Sequence, residues 1–325
     1  MISRYFLLTT ALVLSGCGSA AQAASTPSLT AVPPTSAPTL TPSITPTPEP
    51  SLTPTPTWVA QGPDHVQVPI FMYHHIGVSP IGSRYYVTPE NFESHLRLLR
   101  DWGYASISTS MLVQALTQGA SLPPRPIIFT FDDANADNYA NAFPLMQKYG
   151  FTGVLYVPSS YIGVQNYLTV DQIREMAAAG WEVGSHTNSH PTNFLALEPA
   201  VMRSEIVGSR QRLEDMLGLP ILTFAYPFGE NSDAAVDYVH FAGYIAGMGA
   251  TGFTADQGTS NLFVLQRVEI RATEDAKTIT RFLPWHGDPA FLPADTPTAT
   301  LRPSRTPVPT YTQYPTKTPV LSPTP

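Results

Sequence analysis

Two rhythms of apolar and polar positions alternate along the middle of the chain. Short apolar runs rich in β-formers are followed by stretches that carry one apolar stripe at helical spacing. The run Val68-Pro69-Ile70-Phe71-Met72-Tyr73 is apolar on both faces, as a buried parallel strand is. Thr88 and Pro89 then open a helix with Phe92, Leu96 and Leu99 on one face, and Gly103 stops it. A strand over 104–107 and a helix from Ser108 or Thr109 to Gly119 repeat the cycle. Further strands are predicted over 127–133, 153–157, 181–185, 221–226, 244–248 and 263–270. Between them fall helices over 136–149, 170–179, 198–217 and 232–242, and Thr273 caps a last one to about 283.

Strand and helix alternate throughout with short connections, which predicts an α/β domain of right-handed βα units around a parallel sheet. Seven or eight units suit a distorted (β/α) barrel with seven or eight parallel strands better than an open doubly wound sheet. Periodicity alone does not separate the two. No glycine-rich phosphate loop follows any strand, so nothing points to a nucleotide.

Composition trims the domain. Of the 34 prolines among 325 residues, most lie in two tracts flanking this alternation. Both tracts are rich in Thr, Pro and Ser and nearly devoid of charge, so they cannot bury enough apolar surface to order themselves. The expected organisation is a signal peptide over 1–17, a Pro/Thr/Ser-rich linker over 18–63, a folded domain over 64–287 and a disordered Pro/Thr-rich tail over 288–325. Thr-Pro repeats favour extended conformations, so the linker reads as a semi-rigid spacer whose Thr residues could carry sugar. For the tail, attachment to a cell wall is the alternative to plain disorder. The net charge of −7, with no basic patch, argues against a nucleic-acid partner.

Arg4 precedes an apolar run from Tyr5 to Leu14 that is short for a membrane span and suited to a signal-peptide core. The run ends in Leu14-Ser15-Gly16-Cys17, which resembles the bacterial lipobox, in which the Cys is lipidated and heads the mature chain. Cys17 is the only cysteine, which leaves no internal disulfide. Cleavage elsewhere, with Cys17 lost, is the alternative. Lipidation would make the protein an exported one, anchored on the outer face of the cytoplasmic membrane or at the cell surface.

Candidate chemistry sits where strands are expected to end. Those ends carry His74-His75, Asp132-Asp133, the segment His186-Thr187-Asn188-Ser189-His190 and the turn Tyr226-Pro227-Phe228-Gly229. In a barrel, that edge is where active sites are built. Each cluster alone has a bland reading: Asp-Asp as a turn or helix cap, the histidines as surface residues. Together, two His and one Asp are three ligands of the kind a catalytic divalent metal uses, with a position left for water. The second Asp is then free to act as a base.

Thr130-Phe131-Asp132-Asp133 and His186-Thr187-Asn188-Ser189-His190 resemble the first two signature motifs of the polysaccharide deacetylases, the NodB-homology domain of carbohydrate esterase family 4. Phe224-Ala225-Tyr226-Pro227-Phe228-Gly229 is similar to the third, and Phe71-Met72-Tyr73-His74-His75 to an opening found in the poly-N-acetylglucosamine deacetylase branch. The resemblance spans about residues 69–270. It implies a metal-dependent hydrolase that removes acetyl groups from N-acetylglucosamine units of a wall or extracellular polysaccharide. Peptidoglycan and poly-N-acetylglucosamine are the expected substrates. Asp133, His186 and His190 would hold the metal, most often Zn2+, and Asp132 would take the proton of the attacking water. Tyr226, Pro227 and Phe228 would line the substrate, with a backbone N–H near Phe228 receiving the oxyanion.

Two positions depart from the family pattern. Ala225 stands where an arginine usually orients the base, and Arg267 is the candidate replacement, although a surface arginine at a strand end would look the same. The late Leu-x-Leu-His motif is absent. By resemblance, His74 is the general acid in preference to His75 or His286. Strand alternation puts Met72 and His74 on one face and His75 on the other, so only one of the pair should point inward. Tyr85, Tyr86, Tyr161, Tyr167 and Trp285 are candidate sugar platforms. A catalytically inactive carbohydrate-binding lipoprotein, or an esterase for O-acetyl groups of xylan or peptidoglycan, are the alternative functions.

Overall fold

In the computed structural model, residues 58–250 and 252–287 are described. The signal peptide with Cys17, most of the linker and the tail over 288–325 lie outside them. The described residues begin inside the expected linker, where Val59–Gln61 pairs antiparallel with Ala120–Leu122.

The main sheet contains β1 (Ile70–Tyr73), β2 (Ala105–Ser106), β3 (Pro126–Asp132), β4 (Val154–Val157), β5 (Glu182–Ser185), β6 (Thr223–Ala225), β7 (Ala246–Met248) and β8 (Val268–Glu269). Its order is β7-β6-β5-β4-β3-β1-β8, with β2 beside the start of β3, and every pairing is parallel. A parallel bridge from Met248 to Leu265, just ahead of β8, closes the curved sheet into a distorted (β/α) barrel.

Alternation along the strands sorts the core into two layers. Phe71, Tyr73, Phe129, Phe131, Leu155 and Phe224 face outward and pack under the helices. Ile70, Ile128, Val154, Ala225, Met248 and Leu265 face the interior, where Leu112 and Leu116 of the helix Thr109–Gln118 join them and close the lower end. Gly184 has to be glycine. A Cβ there would lie 2.4 Å from the Tyr156 ring, which crosses the barrel interior from β4.

The outer helices start where hydroxyl caps predict. Thr88 accepts from Asn91 N before Pro89–Asp101, and Thr169 forms a reciprocal capping box with Gln172 before Val170–Ala178. Two helices are looser than their periodicity suggests. The stretches before Phe143–Tyr149 and after Pro199–Arg203 each contain one π-helical segment, Asn138–Ala142 and Ser204–Gly208. The last predicted helix forms only a 3-10 turn over Thr278–Phe282, and the strand predicted over 263–270 pairs only at Leu265 and Val268–Glu269.

Candidate active site

Asp132 is the last residue of β3 and faces the barrel interior in line with Ile128 and Thr130. Neighbouring residues of a strand point to opposite faces, so Asp133 would be lost to the other side if the strand continued. Instead Asp133 (φ 72°) and Ala134 (φ 58°) adopt left-handed backbone, which turns both carboxylates into one cleft. Each such residue costs about 1–2 kcal/mol unless its surroundings hold it. Asn135 Nδ2 donates to the Asp132 carbonyl at 3.4 Å and to the His74 carbonyl at 3.2 Å, and Asn138 Nδ2 donates to the latter at 2.8 Å.

A second strained loop follows β5. Thr187 (φ 67°) and His190 (φ 51°) are left-handed, so residues 186–190 form a tight loop. Glu205 holds it from below: Oε2 accepts from the backbone of Asn188 and Ser189 at 2.9 and 2.8 Å, and Oε1 from Ser189 Oγ at 2.8 Å. His186 Nδ1 lies 2.8 Å from the Ala225 carbonyl, so Nδ1 carries the proton and Nε2 presents a lone pair. That Nε2 is 3.7 Å from Asp133 Oδ1, and His190 Nε2 is also 3.7 Å from the same oxygen.

These separations are too long for hydrogen bonds, yet the three ligand atoms all lie within 4.8 Å of one another. Burial pushes the His186 imidazole down to about 3 and lowers that of His190, so both rings are neutral and able to ligate. Burial raises the Asp133 carboxyl. Two neutral imidazoles and one carboxylate, converging without satisfying each other, fit a divalent cation.

Asp132 has a different partner. Arg267 lies in the segment entering β8 and is only 1% exposed. Its Nη1 donates to Asp132 Oδ1 at 2.7 Å and Nη2 to Oδ2 at 2.9 Å, a two-pronged pair. Nε donates to the Gly249 carbonyl at 3.1 Å and Nη1 also to Thr130 Oγ1 at 3.2 Å. Burial alone pushes the Asp132 carboxyl up, but the Arg267 guanidinium, through its charge and its hydrogen bonds, outweighs it and holds the group at about 2. Ala225 faces the interior, and the guanidinium that reaches Asp132 comes from β8 instead.

The open side is a cleft of about 660 Å³. Both His74 and His75 line it, so the alternation argument for the pair fails. β1 stops at Tyr73, and His75 starts a separate short pairing with Tyr86, which ends the strict two-residue period. His74 packs on Tyr85 with ring centroids 4.7 Å apart, and its buried Nδ1 has no hydrogen-bond partner among the described residues. His75 stacks on Tyr86 at 3.9 Å and bonds Asp137 at 2.7 Å.

Phe228 lines the opposite wall, left-handed (φ 57°), 54% exposed, with its ring 5.0 Å from that of His190. Tyr226 and Pro227 are buried and do not line the cleft, because Tyr226 points outward with Phe224 into the layer under the helices. Trp285 packs on Tyr104, and His286 bonds the Leu283 carbonyl beside Trp102, both away from the cleft. Tyr161 and Tyr167 form a pair with centroids 4.5 Å apart, outside the cleft lining. Glu205, Asp137 and Asn138 carry no motif of their own, and only tertiary contact shows that they hold the site loops.

A family profile for polysaccharide deacetylases matches residues 119–247. The chain is 30% identical over 206 residues to YxkH of Bacillus subtilis (strain 168), a protein provisionally assigned to the polysaccharide deacetylases. That match covers 63% of this chain and 71% of YxkH. It is 23% identical over 172 residues to a poly-beta-1,6-N-acetyl-D-glucosamine N-deacetylase of Staphylococcus aureus, covering 49% of this chain and 59% of that one. Among solved structures, Streptococcus pyogenes deacetylase PplD in complex with acetate is similar with a TM-score of 0.62 at 26% identity, over 70% of this chain and 99% of that one. A polysaccharide deacetylase from Bacillus cereus is similar with a TM-score of 0.58 at 26% identity, over 67% of this chain and 69% of that one. The chain belongs to the polysaccharide deacetylase family.

Proposed function

We propose that this protein is a metal-dependent N-deacetylase of N-acetylglucosamine units in a cell-wall or extracellular polysaccharide. One observation carries the reading: a buried carboxylate, Asp132, is clamped by Arg267 beside a convergent trio of Asp133, His186 and His190. An ionised acid held in one direction beside a trio of ligands suits a general base, which binding alone would not need. The trio would hold the cation, with Zn2+ the best match to its N and O donors. When bound, the cation supplies a Lewis acid for a carbonyl oxygen and eases deprotonation of water.

Asp132 accepts the proton of the attacking water, and the two-pronged Arg267 contact fixes its direction and keeps it ionised. The backbone N–H at the Phe228 turn donates to the oxyanion that develops on the acetamide carbonyl. His74 gives a proton to the leaving amine. The staphylococcal relative's name supports an N-acetylglucosamine polymer as substrate. Residues 1–17 and Cys17 would export and lipid-anchor the domain, with the stretch from 18 to about 57 as spacer; among the described residues no helix is long and apolar enough to cross a membrane.

The test is acetate release from chitooligosaccharides and from acetylxylan, with and without added Zn2+, beside Asp132→Asn. Zn2+-dependent release from the amide substrate is expected. Release from acetylxylan alone would make the protein an O-acetyl esterase, and none from either with sugar binding intact would make it a binding protein. His74→Ala and His75→Ala, compared on the same substrate, separate the acid from its neighbour: only the first should abolish turnover while leaving bound metal in place. For the anchor, Cys17→Ala should move the protein from the membrane fraction to the medium.

A further inference from the structure

The cleft has a cationic edge that the deacetylation chemistry does not use. Glu269 ends β8, two residues past Arg267, so it lies on the same face and about 7 Å further toward the mouth. Two arginines share it. Arg84 Nε is 3.2 Å and Arg271 Nε 3.4 Å from the same oxygen, Glu269 Oε1. All three residues line the cleft. The two arginine side chains are 54% and 50% exposed, whereas that of Glu269 is 16% exposed. The third rim arginine, Arg281, has a carboxylate of its own, Glu274 at 2.6 Å. The excess positive charge therefore falls on Arg84 and Arg271.

Neither of these arginines is matched fork to fork, unlike Arg267 on Asp132. Neither makes a hydrogen bond to Glu269, whose buried Oε1 has no hydrogen-bond partner among the described residues; each comes nearest through Nε, and Arg84 Nη2 donates to Tyr85 Oη at 2.9 Å. Half-exposed ion pairs add little to stability, and two guanidiniums on one carboxylate repel each other. The arrangement is poor as a structural brace and well suited to an incoming oxyanion, which would complete the missing fork contacts. It is also fixed in place: the Arg84 carbonyl accepts from Ala272 N at 2.9 Å, which joins the two loops that carry the arginines. Arg84 further packs over the Tyr85 ring at 4.8 Å, and the same ring contacts His74.

We propose that Arg84 and Arg271, organised by Glu269, form an anion subsite that binds a carboxylate or phosphate carried by the glycan beside the N-acetyl sugar being hydrolysed. The inference rests on the deacetylase reading and narrows its substrate to an acidic glycan.

The test compares three oligosaccharides of equal length on the wild-type protein: one bearing a carboxylate on the neighbouring sugar, its methyl ester, and one bearing a phosphate there. KM for acetate release should be about tenfold lower for the acid than for the ester. The gap should narrow as ionic strength rises. In Arg84→Gln/Arg271→Gln the ester-to-acid KM ratio should fall from about ten to about one, while Arg281→Gln should keep the wild-type ratio. Being a ratio within one protein sample, it does not depend on the folded fraction. A phosphate advantage larger than the carboxylate one names phosphate as the source, and the reverse names carboxylate. Equal KM for acid, phosphate and ester in the wild type, or a preference that survives the double substitution, overturns the proposal. Calorimetric binding of the same three compounds to the Asp132→Asn protein reads the subsite without turnover. Failure of deacetylation itself is thereby distinguished from failure of the anion subsite.

Discussion

Two carboxylates enclosed by the same sheet have opposite surroundings. Glu182 sits at the lower end as the first residue of β5, and Asp132 at the mouth as the last residue of β3. Glu182 is met by neutral donors, Ser110 N at 2.9 Å and Thr223 Oγ1 at 3.0 Å, and burial raises its pKa. Asp132 is met by a guanidinium and held at about 2. Tyr156 lies between them, with Oη 3.3 Å from Thr109 Oγ1 and its ring 5.5 Å below the Arg267 guanidinium. The lower network ties strands to a helix and carries no backbone strain. The mouth gathers five left-handed non-glycine residues, Asp133, Ala134, Thr187, His190 and Phe228. Such departures from local preference persist where surrounding structure imposes them and function uses them.

Chelation of the metal, or His186→Ala, should reduce acetate release to background, with zinc restoring only the chelated wild type. Metal analysis of the two proteins checks this. Asp132→Asn should lower kcat by about a thousandfold, within the range of general base catalysis, while bound zinc is unchanged. Retention of activity in Asp132→Asn would remove the distinction between the two acids.

Arg267→Met should lower kcat by about a hundredfold and destabilise the fold by about 3–5 kcal/mol, because it leaves a buried charge unpaired. Without Arg267 the dominant remaining influence on Asp132 is burial, which raises its pKa. The acid limb of the pH–rate profile should therefore move to higher pH while the alkaline limb stays in place. In the intact pair the folded value lies below the ordinary 3.8, so the stabilisation is complete at neutral pH and is lost only as pH falls toward about 2. At the lower end, Glu182→Gln should leave kcat within about twofold of wild type and cost about 1–3 kcal/mol, measured by denaturant unfolding. A loss of turnover in Glu182→Gln without a loss of stability would mean that the two ends are coupled through Tyr156.

Much of the fold was legible because burial leaves a period in the sequence. Ile70-Phe71-Met72-Tyr73 and Ile127-Ile128-Phe129 read as strands, and Thr88, Thr169 and Ser232 as caps, since apolar faces and cap hydroxyls are local signals. The last helix and the full 263–270 strand misread, because residues 262–287 are held by contacts across the barrel rather than by a period of their own. Alternation also failed at His74-His75, where β1 ends and both rings enter the cleft. Tyr226 shows the converse: its strand continues to alternate and carries the ring away from the site.

The βα alternation and the positions of Asp132, Asp133, His186 and His190 at strand ends could be read along the chain. Local pattern and residue chemistry suffice for that. Folding in three dimensions was needed to bring Arg267 to Asp132 past Ala225, Glu205 and Asp137 under the loops, and Arg84 and Arg271 together on Glu269. Arg84 and Glu269 lie far apart along the chain, and their contact exists only because β8 pairs with β1 and closes the barrel.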